Sequence, residues 1–374
     1  MIKYGSYALQ QDYLNHYALS ASGLRALALG KVPDYNKQSS ERGTIIDAYL
    51  TSATEQDAEE YFCVVDADRF PSDRLISILT DVIFNLGEYV SEDMNVHKNV
   101  ILQALEDNNF SQNIKDVDKR FDTVVEKAGY WWETTLRSTG KIVVSDKTRS
   151  FAEVVSSMVK QKSPLGVFFV EHTGMDKYLQ IPILFRMPDA PNTDCKVLPD
   201  HVTINHNKKV ITITEIKTIF DYTHENFLTQ AKAYNYATQL SFQREGVMAH
   251  CGQLYPDYSV ECQWLVVGTN ITNGLRAGVV KCPSFVLDSV KYGYERGKVQ
   301  ITMHNNLDTD ADGNQNTSNS VVVSDFVSGW LENLKKFDLL QNKNAETALN
   351  KEVFRSLHEL REPLTPQQVI KGLL

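Results

Sequence analysis

The sequence predicts an α/β fold: a mixed central sheet flanked by helices, with a helical insertion ahead of it and a helical appendage behind. Three observations carry this. Between Lys177 and Asn270 the pattern gives strand, strand, strand, helix, strand, the order of a mixed sheet with helices against it. Residues 66–160 are mostly helical in period, with loops near Pro71 and Gly140. Of 374 residues, 42 % are hydrophobic and 23 % charged, which suffices for a real core in one large domain or two ordinary ones.

In order along the chain, residues 12–30 end in a helical pattern, with Ser20 or Ser22 as its N-cap and Gly30 as its stop. "KVPDYNKQSSER" reads as a loop and "GTIIDAYLTSA" as a second short helix. Weak strands begin near Val167. "KYLQIPILFRM" (177–187) alternates and reads as one strand, "CKVLPDHVTI" (195–204) as another and "KVITITEIKT" (209–218) as a third. The turn cluster "NHNKK" separates the last two. "HENFLTQAKAYNYATQLSFQ" (224–243) reads as one helix, and "CQWLVVGTN" (262–270) as a buried strand. Residues 305–320 form a polar loop, a helix runs from about Val323 to Leu340, and the tail carries more helix broken at Pro363 and Pro366.

Net charge is −9, so the chain is not a general coat for nucleic acid, and contact with a polyanion needs a local basic surface. Five scattered cysteines without a C-x-x-C pair point to a reducing compartment and no structural zinc site. The first residues lack a signal-peptide layout, and no apolar run reaches the ~20 residues of a membrane span. The expected location is the cytoplasm.

The third strand holds charge where apolar residues are expected. Glu215 and Lys217 lie two apart inside "ITITEIKTIF" and therefore share a face. A two-residue turn at Asn207-Lys208 would pair His206 with Lys209 and set Asp200 opposite Glu215. Two close carboxylates repel unless a cation lies between them. Mg²⁺ suits one or two carboxylates plus water and phosphate oxygens, and Lys217 adds positive charge where a phosphoryl group gains negative charge. The bland alternative is an exposed acid–lysine ladder on a solvated face. Gln230 and Tyr234, four apart on the following helix, add an amide and a phenol on one side.

Pro199-Asp200, Glu215-Ile216-Lys217, Gln230 and Tyr234 in this order resemble the PD-(D/E)XK nucleases, in the RecB-like branch with its Q-x-x-x-Y motif. "ALSASGLRALALGKVPDYNKQSSERGTIIDAYL", "YLQIPILF" and "CKVLPDHVTI" resemble phage exonucleases of the RecE (exonuclease VIII) type, over roughly residues 18–50 and 165–243. The resemblance implies a restriction-endonuclease-like core. Residues 1–65 would be its N-terminal part, 66–160 a helical insertion, 161–304 the catalytic core and 305–374 the polar loop and helical appendage. It implies Mg²⁺ or Mn²⁺ held by Asp200, Glu215 and the Ile216 carbonyl, with Lys217 positioning water or stabilising the transition state. Gln230 and Tyr234 would shape the site, and Gln180 or Glu171 would fill an upstream polar position. Where the group has His, this chain has Asp47, either a harder ligand or a lost one. The implied activity is exonucleolytic hydrolysis at double-stranded DNA ends in phage-type recombination, beside a single-strand annealing protein. The working form would be a homo-oligomer in a bacterial host. The alternatives are a structure-specific or packaging-associated endonuclease, and a decayed nuclease-like scaffold that binds DNA or protein.

Other signals are weaker. "DTDADGNQN" starts like a calcium loop, but Asn319 stands where a bidentate Glu is needed. Cys251, Cys262 and Cys282 are too widely spaced for an iron–sulfur cluster. His201, His206 and His224 read as turn and cap residues, and Lys208-Lys209, Arg296/Lys298 and Lys335-Lys336 as solvated faces or, for some of them, the lining of a local basic DNA path.

Overall fold

The computed structural model describes residues 1–24, 37–138, 141–162, 165–272, 274–292, 299–302, 320–323, 330–332, 334–335 and 338. The Gly30 stop, most of the 305–320 loop, the calcium-like stretch, Arg296, Lys298, Lys336 and the tail lie outside the described residues. The strands are β1 (Ile2–Tyr4), β2 (Phe62–Val65), β3 (Ile142–Ser145), β4 (Met175–Leu179), β5 (Ile183–Met187), β6 (Ala190–Val197), β7 (His201–Asn205), β8 (Val210–Ile219), β9 (Ser259–Gly268), β10 (Ala277–Cys282), β11 (Val299–Thr302) and β12 (Ser320–Val323). The helices are α1 (Tyr7–Asn15), α2 (Lys37–Thr51), α3 (Glu55–Glu59), α4 (Asp73–Leu86), α5 (Lys98–Asp107), α6 (Val117–Arg137), α7 (Asp146–Gln161), α8 (His224–Ala233), α9 (Tyr236–Cys251) and α10 (Ser284–Tyr292). The chain divides into two units, one of Met1–Tyr35, Leu50–Ser52 and Ser157–Leu374, the other of Asn36–Tyr49 and Ala53–Ser156.

The first unit is built on a mixed six-stranded sheet in the order β1-β4-β7-β8-β9-β10. β1/β4 and β8/β9 pair in parallel, and the other neighbours are antiparallel. β7 and β8 pair from His201↔Thr214 to Asn205↔Val210, and continuing that count places Asp200 opposite Glu215. The turn has four residues, His206 to Lys209, rather than two. Lys209 takes a positive φ of 53°, and the Asn205 Oδ1 accepts from the Lys208 amide at 3.0 Å. That side-chain bond replaces a tighter turn without changing register.

Three predicted elements are broken in the structure. Residues 177–187 form β4 and β5, which belong to different sheets. The chain leaves the ladder at Gln180, whose φ is +50°, just ahead of Pro182. Residues 195–204 split between β6 and β7 around Leu198-Pro199-Asp200. In both places a proline, which lacks an N–H, cannot continue a ladder. The single helix expected over 224–243 is α8 and α9, divided at Asn235 in the left-handed conformation (φ 52°, ψ 46°). Near Val167 the chain forms a 3₁₀ turn, Leu165–Phe169, and the next strand starts only at Met175. The "KQSSER" stretch, expected in a loop, is already helical within α2.

One sheet face carries Val202, Ile204, Ile211, Ile213, Cys262, Trp264, Val266 and Val280, all buried with Phe227, Leu240, Phe242 and Val247 of α8 and α9. Each large side chain here contributes roughly 1.5–3 kcal/mol by burial. Gly246 lets α9 approach the β5/β6 hairpin, since a Cβ there would collide with Val197 and Phe185. Trp330, Leu331 and Leu334 pack on the same core, and Asp338 accepts from the Asn192 amide and the Thr193 hydroxyl.

The second unit is mainly helical around a short parallel pair, β2/β3. On α6 the buried residues Phe121, Val124, Ala128, Trp131 and Trp132 recur at helical spacing. They pack with Leu75, Leu79, Ile101 and Leu105 of α4 and α5. The Trp132 indole donates to the Ser91 carbonyl at 2.9 Å, so its polar edge is satisfied. No described helix is long and apolar enough to cross a membrane.

Candidate active site

The site begins where β7 stops. Ile216 lies beyond the last β7/β8 pair, so its N–H has no ladder partner on that side. Asp200 supplies one: its Oδ2 accepts from Ile216 N at 2.6 Å. Its Oδ1 accepts from the Gln180 amide at 2.8 Å, and Gln180 N donates to the Asp200 carbonyl at 3.1 Å. The left-handed backbone of Gln180 thus turns the chain out of β4 and aims its side chain at Asp200. Of the two upstream candidates Gln180 touches the site, whereas Glu171 accepts from Ile2 N at 3.2 Å.

Glu215 and Lys217 project from β8 on the apolar face, opposite Trp264 and Val266 of β9. Glu215 is 3 % exposed and Asp200 8 %. A solvated acid–lysine ladder would not be buried, so the bland reading fails on exposure. Lys217 Nζ donates to Glu215 Oε1 at 2.8 Å and to Gln239 Oε1 at 3.0 Å, and lies 4.9 Å from the centre of the Tyr236 ring. Burial works against its charge, but Glu215 and Asp200 outweigh burial and hold its pKa above the usual lysine value. The Gln239 amide donates to Glu215 Oε1, and the Gln243 amide to Glu215 Oε2 at 2.6 Å. Gln10 of α1 donates to Gln180 Oε1 at 3.4 Å. Tyr13, on the same helix, has its phenol pKa pushed up by burial and then by the charge of Glu215.

Gln239, Gln243 and Tyr236 hold the partnerships expected of Gln230 and Tyr234. Neither Gln230 nor Tyr234 is a hydrogen-bond partner of Glu215 or Lys217. Tyr234 caps the end of α8, where its N–H donates to the Gln230 carbonyl at 2.8 Å. Gln239 and Gln243 have the same four-residue spacing, in "QLSFQ", so the signal was present in the sequence. The helix break decides between the two pairs, and only Asn235 hinted at it. Asp47 belongs to the second unit, on α2, half-buried among the buried Ile45, Ile46, Ala48, Tyr49 and Leu50.

The other polar residues have structural partners. His201 is buried on β7, bonded to the Phe168 carbonyl at 2.9 Å; burial, then the Lys177 charge, lowers its pKa to about 4. His206 lies between Asp176 (3.0 Å) and the Tyr258 hydroxyl (3.1 Å), and His224 opens α8 against Tyr222. Lys209 pairs with Asp257, and Lys335 with Asp189. Burial pushes the Cys195 and Cys262 thiols up to about 12 and holds Cys282 well above its usual value, which disfavours the thiolate a metal requires.

The donor set fits a hard divalent cation. Two buried carboxylates share one ammonium, which leaves negative charge in a low-dielectric recess. Among the described residues Glu215 Oε2 accepts from Gln243 alone and keeps a lone pair. Among the described residues no group of three His, Cys, Asp or Glu side chains converges on one point. A cation held here would take one or two protein carboxylates and complete its shell with water or phosphate oxygens, the habit of Mg²⁺.

No family model and no curated protein matches the chain. Among solved structures it is similar to a protein from Eubacterium rectale described as "Putative exonuclease", with TM-score 0.28, 9 % identity, and coverage of 63 % of this chain and 77 % of that one. A likeness that faint transfers neither fold nor function.

Proposed function

We propose that the chain is a metal-dependent DNA nuclease with a PD-(D/E)XK-type core, acting exonucleolytically at double-stranded DNA ends. The observation that carries this reading is the burial of Asp200 and Glu215 beside the half-buried Lys217 on an otherwise apolar sheet face. Burying two carboxylates and an ammonium has no packing benefit over apolar residues of similar size. In the proposed reaction Asp200, Glu215 and the Ile216 carbonyl would hold Mg²⁺ or Mn²⁺. When bound, the cation polarises the phosphate and lowers the pKa of water. Lys217 places positive charge where the phosphoryl oxygens gain negative charge. Gln239 and Gln243 fix the Glu215 carboxylate, so it needs no reorganisation when the substrate arrives. With −9 on each copy, a grip on DNA calls for basic side chains converging from several copies, so a homo-oligomer around the DNA belongs to the proposal.

The test is to incubate end-labelled linear DNA and closed circular DNA with Mg²⁺ or Mn²⁺. Loss of linear DNA from its ends, with circles intact, is expected. Equal nicking of circles would replace the exonuclease reading with an endonuclease. No cleavage in either metal would leave only a binding scaffold.

A further inference from the structure

The break between α8 and α9 has a consequence beyond the choice of glutamines. Residues two apart on an unbroken helix point to opposite sides and cannot stack. Tyr234 and Tyr236 are two apart, yet their rings stack with centres 5.9 Å apart and planes 23° from parallel. Asn235 makes this possible by taking the left-handed conformation, which strains every residue except glycine but strains asparagine least. Tyr236 in turn lies against the Lys217 ammonium, 4.9 Å from ring centre to Nζ, and 6.2 Å from Phe227. Lys217, Tyr236 and Tyr234 therefore form a continuous series, an ammonium followed by two nearly parallel rings. Both tyrosines are half-buried.

We propose that the stacked rings of Tyr234 and Tyr236 form the platform that seats the nucleobase next to the phosphate held at Lys217. This rests on the nuclease reading and adds to it a base subsite. A phosphodiester at Lys217 brings a flat base with it, one nucleotide along the strand. Every base has a π face, so an aromatic platform accepts all four and adds affinity without sequence preference. Contact of this kind suits an enzyme that degrades ends of any sequence. A mere packing role would call for aliphatic bulk around the lysine stem, with no need for parallel rings.

The full-length chain is tested in EDTA, so that binding is read without cleavage. The probes are short duplexes with a single-stranded overhang, each nucleotide near the end being made abasic in turn. Tyr234→Leu should weaken binding of the base-bearing probe about tenfold, and should hardly change binding of the probe abasic at the seated position. Tyr234→Phe keeps the ring and should bind as wild type. In steady-state cleavage with Mg²⁺ the loss should fall on KM rather than kcat. Should Tyr234→Leu fail to fold, quenching of 2-aminopurine at the seated position by wild type and by Tyr234→Phe gives the same reading. Equal loss on both probes, no loss on either, no abasic position that matters, unquenched 2-aminopurine, or no binding by wild type would overturn the platform. Base-dependent binding without cleavage in any metal would remove the nuclease reading and keep the platform. Cleavage without base dependence would do the reverse.

Discussion

Two kinds of region in the first unit bury a lysine, and they do it with different acceptors. At the candidate site, Lys217 meets a carboxylate and an amide. At two other places the lysine ammonium donates to backbone carbonyls rather than to a carboxylate, and that of Lys196 also lies 4.8 Å from the centre of the Tyr13 ring. Lys196 on β6 donates to the carbonyls of Tyr13, Leu14 and His16 at 2.6, 3.1 and 2.7 Å, closing the C-terminal end of α1. Lys177 on β4 donates to those of Val167 and Val170 around the 3₁₀ turn. Helix-end carbonyls lack intrahelical partners and carry partial negative charge, so they satisfy an ammonium's hydrogens without neutralising it. Burial accordingly lowers the pKa of both lysines to about 8, whereas Lys217, with Glu215 and Asp200 beside it, is held above the ordinary value. The carbonyl cages are clips that fasten turns. The carboxylate site keeps a permanent charge where a reaction can use it.

The largest expected effect breaks the charged side of this comparison. Lys217→Met should reduce DNA cleavage by a factor of about 10² or more, as removal of a transition-state charge does. Lys217→Arg should not restore it, because a planar guanidinium cannot replace a point charge between Glu215 and Gln239. Initial rates on linear DNA with Mg²⁺ measure both. Wild-type rates from Lys217→Met would remove Lys217 from the chemistry.

The proposed metal-binding role of Asp200 can be separated from its structural one. Asp200→Ala leaves the Ile216 N–H and the Gln180 amide without their acceptor, and should destabilise the protein by about 1–3 kcal/mol as well as abolish cleavage. Asp200→Asn keeps an acceptor oxygen for Ile216 and should be the more stable of the two, yet equally inactive. Urea unfolding of the pair decides this, and equal stabilities would show that the cap on β8 is unimportant.

The hairpin register that aligns Asp200 with Glu215 follows from the assumed two-residue turn at Asn207-Lys208, because the four-residue turn that forms, 206–209, has the same centre and so the same pairing. The interruptions were legible only in part. Pro182 and Pro199 mark the ends of β4 and β6, but the apolar alternation runs across them and hides the change of sheet. The left-handed Gln180 left no pattern, and Asn235 left only a residue type that tolerates this conformation, since a backbone conformation set by tertiary packing has no periodicity. Those two residues place the amides around Asp200 and Glu215, which is why the sequence brought the two carboxylates together but did not bring the glutamines on α9 to them. The carbonyl cages left no trace either: a lysine amid apolar residues reads as an exposed alternate position.

The carbonyl cages make their own prediction. Lys177 and Lys196 have a folded pKa of about 8 against an ordinary 10.5, so between those values the unfolded chain binds more protons than the folded one. Stability contributed by these groups should therefore rise as pH goes from about 8 to about 10.5. Lys217, raised rather than lowered, contributes stability that is complete below 10.5 and lost as pH climbs through its higher folded value. Lys196→Met should flatten the rise, and Lys217→Met should not. Denaturant midpoints across this range give the slopes, and a wild-type stability that only falls above pH 8 would refute the cages as uncompensated charges.

The smallest effects rank the glutamines. Gln239 touches both charged groups, accepting from Lys217 and donating to Glu215. Gln243 donates to Glu215 and, at 3.5 Å, to the Leu198 carbonyl, while its own buried Oε1 has no hydrogen-bond partner among the described residues. Gln230 bonds to neither charged group. Gln239→Leu should thus lower the cleavage rate most, because it frees the lysine and the carboxylate at once. Gln243→Leu should lower it less, but should destabilise the protein by about 1–3 kcal/mol, since it leaves the buried Glu215 Oε2 without its donor. Gln230→Leu should leave the rate near wild type. The order matters more than the sizes. If Gln230→Leu proved the most damaging, the geometry at α9 would not be that of the working site, and α8 would have to supply the partner of Lys217. If all three matched wild type, Glu215 would be held by Lys217 alone, and the contrast between a fixed carboxylate site and the carbonyl cages would rest on charge without orientation.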